Sequence, residues 1–154
     1  MIDVIKYCEA AEHIKEEFGL EKSLKYLIGE KFHSCLKQLK WSLSSAKETE
    51  EKLKRDKNFP ERTKQDLEEN LEYEKKLIAG LMRDRDLFVS KIREIYQPYE
   101  IKDFLDNIMA FGSAEQFLTE EEYREWLGKG ILQKNVVDEA EDVLILEEMK
   151  QLLL

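Results

Sequence analysis

The sequence predicts an all-α fold: an up-down helical bundle built on a long antiparallel helical hairpin, with short C-terminal helices after it. Three observations predict it. The charged stretch from Ser23 to Tyr96 carries apolar residues at three- and four-residue steps, the spacing that places them on one helical face. That stretch has a single break, at Asn58-Phe59-Pro60, because the residue before a proline is pushed out of the α region. The 154 residues include only two prolines and six glycines, while 38% are charged. That is the composition of long solvated helices. One domain is expected at this length, with enough chain to bury a core.

The first helix is expected from about Asp3, a capping residue, to Phe18. Val4, Ile5, Cys8, Ala11, Ile14 and Phe18 form its stripe, and Gly19 suits the positive φ of a helix end. The second is expected from Ser23 as N-cap. Its ladder of Leu24, Leu27, Ile28, Phe32, Cys35, Leu39, Leu43 and Ala46 thins afterwards, leaving Leu53 and Phe59 before Asp66. Ser45-Ala46-Lys47-Glu48 fits a capping box, so a restart there competes with continuity; continuity is adopted. The third helix takes Pro60 into its first turn. Leu67, Leu71, Ile78, Leu81, Phe88, Ile92 and Ile95 give a coiled-coil-like heptad ladder interrupted by Glu74 and Arg85. Tyr73, Leu77 and Leu87 widen that stripe to the width of a core-facing bundle helix. Pro98 ends it.

A helix continuous from Ser23 to a turn at residues 57–61 is about 50 Å long, against a body about 40 Å across. The hairpin tip is therefore expected to project, and its sparse apolar content makes it the most mobile helical part. Beyond Pro98, residues 101–111, 113–118, 119–127 and 138–153 read as shorter helices, with stops at Gly112 and Gly128. Val136-Val137 and residues 143–146 are apolar enough for short strands, but periodicity does not separate short apolar runs and the helical reading is kept. Residues 1–98 thus form the hairpin bundle. Residues 99–154 form a smaller acidic helical subdomain packed on it as one folding unit.

The net charge is −9, and it is unevenly placed: residues 1–93 hold 20 basic and 19 acidic side chains, residues 94–154 hold 5 and 15. An acidic surplus repels phosphate, so nucleic acid is not an expected partner. Residues 113–128 can be drawn as a helix-turn-helix, but the second helix would present Glu120, Glu121, Glu122 and Glu125 to DNA. The basic strip of Lys75, Lys76, Arg83, Arg85, Lys91 and Arg93 reads instead as a counterface for the acidic last third. No run approaches the about 18 apolar residues of a membrane span. Met1-Ile2-Asp3-Val4 does not open a secretory leader. Cys8 and Cys35 sit in apolar helical settings and read as reduced, buried thiols of a cytoplasmic protein.

Candidate chemistry is sparse. Glu30-Lys31-Phe32-His33 sets a carboxylate and an imidazole on one helical face, as di-iron carboxylate bundles require. Those sites need a second such pair, and the only other histidine is His13. No metal and no cofactor is expected. Glu30 and His33 are the candidates of an alternative reading, a helical-bundle metal protein or enzyme. Ser34 and Cys35 adjoin His33, but sequence neighbours on a helix do not face each other. Gly128-Lys129-Gly130 lacks the spacing of a phosphate loop.

Trp41 and Trp126 read first as packing residues, although tryptophan is enriched in interface hot spots. The terminal Leu152-Leu153-Leu154 must be covered, within the chain or across a subunit interface. The expected function is a non-enzymatic, cytoplasmic protein–protein interaction or regulatory module, homodimeric, with contacts from Leu53, Leu67, Trp126, Leu152, Leu153 and Leu154. A third reading is an acidic, antitoxin-like or decoy protein that engages a basic partner.

Overall fold

The computed structural model describes residues 3–55, 60–108, 121, 125, 128, 129 and 136–154, with side chains from 143 onward in the last stretch. The elements named there are all helical, as expected from the sequence. They are α1 (Val4–Phe18), α2 (Leu20–Leu24), a π-helical stretch (Lys25–Phe32), α3 (His33–Arg55), α4 (Glu61–Ile95), α5 (Pro98–Asn107) and α6 (Val136–Leu153).

The start of α1 is fixed by the Asp3 carboxylate, which accepts from the Lys6 N–H at 3.1 Å. At its end Gly19 adopts φ 102° and donates its N–H to the Ile14 carbonyl. That conformation strains any side chain. It also reverses the chain within one residue, so the next helix begins at Leu20 rather than at Ser23. Ser23 is consequently not a cap. Its hydroxyl points inward and is taken by tertiary partners: Oγ donates to the Ala11 carbonyl at 2.6 Å and lies 2.5 Å from the Tyr96 hydroxyl.

From Leu20 to Arg55 the helix runs on, and the junction residues Leu24 and His33 keep α-helical dihedrals. It does not restart at Ser45, whose hydroxyl donates across the hairpin to Glu74 at 2.9 Å. Between Lys25 and Phe32 the turns widen, so each holds about one residue more than an α-turn. The extra residue per turn rotates Gly29 and His33 onto the inner face. His33, one of the two metal-site candidates, is 4% exposed.

α3 and α4 run antiparallel. The Phe32 and Phe88 rings lie 5.6 Å apart, Cys35 Sγ reaches the Leu81 carbonyl at 3.8 Å, and Ser45 meets Glu74 further out. The expected turn at 57–61 falls largely outside the described residues. Pro60 stands one place before its expected position, at the N-cap of α4.

α4 stops at Ile95, and Pro98 starts α5 rather than ending α4. Proline suits that first position because its missing N–H has no intrahelical partner there. Gln97 and Glu100 cap each other reciprocally, with the Gln97 N–H donating to Glu100 Oε1 at 2.8 Å. α6 begins at Val136, ahead of the expected Asp138. The helices expected within 109–120 and most of 121–127 lie outside the described residues.

One hydrophobic cluster joins every element. Val4 and Cys8 of α1 share it with Phe32, Leu36, Phe88, Ile92 and Tyr96, and also with Phe104 and Leu105 of α5 and Ile145, Met149 and Leu153 of α6. The core therefore runs across the expected boundary near residue 98. It stops abruptly along the hairpin. Beyond Ala46 on α3 and before Leu81 on α4, none of the described residues is buried, so this half of the hairpin forms an arm. Among the described residues, no helix is long and apolar enough to cross a membrane.

Candidate interaction surface

The largest exposed apolar side chains of the hairpin gather on one side of it. Trp41 of α3 is 58% exposed, and Tyr73 and Leu77 of α4 are 70% and 44% exposed. Together with Ser45 and Asn70 they line one groove between the two helices. The groove continues past Leu77 to Gly80, Arg83 and Asp84. Towards the tip, the surface of α4 beside Tyr73 carries Glu68, Glu69 and Glu72.

The spacing explains the arrangement. Asn70, Tyr73, Leu77, Gly80 and Asp84 recur at three- and four-residue steps, a second seam beside the core seam of Leu71, Ile78, Leu81 and Phe88. In a two-helix arm the partner helix covers only a narrow strip. The expectation that Tyr73, Leu77 and Leu87 face the core is thus corrected: Leu87 too is 37% exposed. Trp41, expected as a packing residue, lies at the surface with the Lys37 ammonium 5.3 Å from its ring. The missed signal was the width of the stripe itself, too wide for one partner helix.

The residues that the sequence named as contacts are scattered. Leu53 and Leu67 are half-buried on the arm. The register that pairs Phe32 with Phe88 and Ser45 with Glu74 sets them at the same level of the hairpin. Leu153 is 2% exposed and belongs to its own chain's core, with Leu152 packed against that core. This corrects the expectation that these two leucines cross a subunit interface; only Leu154, at 53%, stays exposed. Trp126 lies outside the described residues.

The structure does not bring Glu30 and His33 into a larger ligand set. The Glu30 carboxylate pairs with Lys31 at 3.3 Å, and His33 is turned into the core. Among the described residues, no group of three or more His, Cys, Asp or Glu side chains could hold a metal. Cys8 and Cys35 are free and buried. Burial pushes their thiols up to about 11 and about 12, so neither is an activated nucleophile. Lys31 serves packing instead, with its ammonium 4.8 Å from the Tyr7 ring and 5.5 Å from the Tyr26 ring.

No protein-family model matches the chain, and no curated protein or solved structure is similar to it at a significant level.

Proposed function

We propose that this chain is a non-enzymatic, cytoplasmic interaction module that meets a protein partner through the hairpin face of Trp41, Tyr73 and Leu77, and that it self-associates as a homodimer. The observation that carries the reading is the exposed aromatic and aliphatic cluster of Trp41, Tyr73 and Leu77 along the hairpin. Water gains nothing from such a seam, and burying one leucine stabilises by about 1.5–3 kcal/mol. Aromatic anchors in a well-packed centre dominate protein interfaces. The buried free thiols suit a reducing compartment.

The test is affinity capture from native extract with the wild-type chain and a Tyr73→Ala/Leu77→Ala variant whose helicity is checked by circular dichroism. Both substituted positions are exposed, so the variant should fold. Partners retained by the wild type and lost by the variant support the reading. An identical set of partners on both shows that this face recruits no other protein.

A further inference from the structure

We infer that the face lined by Trp41, Tyr73, Leu77 and Gly80 is occupied by the same face of a second copy, the two hairpins packing antiparallel into a four-helix bundle. This rests on the reading of the hairpin face as a binding surface and names its occupant.

Gly80 is the first argument. It sits inside the 35-residue helix α4, where glycine is the poorest former of helix after proline. Among the described residues nothing requires it. A Cβ built there meets only the tip of the Arg83 side chain, at 3.9 Å. The absence of a side chain therefore leaves a notch open to the groove, on the same seam as Tyr73 and Leu77. A notch in an exposed heptad seam is the form a facing helix needs in order to seat a bulky side chain closely.

Charge is the second argument, and it selects a second copy. Glu69, Lys76 and Arg83 are spaced by seven residues along one flank of the seam, so they occupy equivalent positions. Glu69 and Arg83 are both exposed. The flank runs from acidic towards the tip to basic towards the body. A surface with that polarity is complementary to itself turned end for end, as a two-fold contact demands. With the two-fold axis beside Tyr73 and Leu77, Glu69 of each copy faces Arg83 of the other, and Lys76 meets Lys76 at the axis, so two attractive pairs outweigh one repulsive pair. The same register sets Tyr73 against Leu77 and brings Asn70 to the Gly80 notch.

The experiment is sedimentation equilibrium on the full chain over a range of micromolar concentrations. The wild type is expected as a reversible dimer. Glu69→Arg and Arg83→Glu should each weaken association by roughly tenfold, since symmetry breaks two pairs at once. The double variant E69R/R83E should recover most of the loss, because it restores opposite charges across the contact. Leu77→Glu should give a monomer of unchanged helicity. A wild-type chain that stays monomeric overturns the inference. So does a dimer indifferent to Leu77→Glu, or single charge swaps that the double variant does not rescue. If the chain is monomeric while Tyr73→Ala/Leu77→Ala still abolishes capture of another protein, this inference fails and the interaction reading stands.

Discussion

Ser23 has one hydroxyl proton and two neighbours, and that count fixes the direction of a buried chain of hydrogen bonds. The proton goes to the Ala11 carbonyl, so the Tyr96 hydroxyl donates to Ser23 Oγ. α1, α2 and the end of α4 are tied at one point. Ser23→Ala leaves the Tyr96 hydroxyl buried without its acceptor, and we expect a loss of about 1–3 kcal/mol, read as a lower urea midpoint. Burial also pushes the Tyr96 phenol up to about 12. Cys35 and Cys8 are raised in the same sense by burial. A raised folded pKa means that the fold holds its proton more tightly than the unfolded chain does. The stability is then complete below the ordinary thiol value of 9.0 and is lost as pH climbs through the range from there to about 12. Alkaline titration followed by circular dichroism should show unfolding in that window. A fold indifferent to pH across it would show that these groups ionise without cost. At neutral pH both thiols should react slowly with an aromatic disulfide reagent, and quickly once urea unfolds the chain.

At the scale of the element, the divide along the hairpin makes the next prediction. Residues 47–55 and 61–80 carry no buried side chain, so little apolar burial resists local opening there. Their amides should exchange with solvent markedly faster than those of residues 33–46 and 81–95. Uniform protection along both helices would show that the arm is covered. The same contrast explains what was legible in the sequence. Ladders at the α-helical period gave α1, α3 and α4, and Asp3 and Gly19 marked the ends of α1, because caps and periods are local. The π-helical stretch was hidden, since a 3.6-residue period assigns His33 to the wrong face. The reciprocal Gln97–Glu100 cap was hidden behind Pro98, which serves as readily to begin a helix as to end one. Tyr73 and Leu77 were visible as apolar positions. Their exposure was not, because it depends on how many helices surround α4.

For the whole molecule, the decisive fact is one core that draws on both ends of the chain. Met149 and Leu153 of α6 share a cluster with Val4 and Cys8 of α1. Leu153→Ala should therefore cost about 2–5 kcal/mol, as for other buried leucines. Leu154→Ala, at a half-exposed position, should stay within about 0.5 kcal/mol. Urea denaturation of the two variants compares them directly. Equal effects would mean that α6 is not seated as described.

The boundary at Ala46 and Leu81 has one further consequence. Outside it, none of the described residues of the arm is buried, so among them its reach is a matter of residue count. Adding one heptad after Glu51 in α3 and one before Glu69 in α4 would extend the arm by about 10 Å. Each helix would return to almost the same facing, with a drift of only about 20°. Adding four residues to each would gain a shorter length and turn the outer seam away from the inner one. The hairpin thus works as a ruler with heptad graduations, whose span can be reset without disturbing the core that holds it.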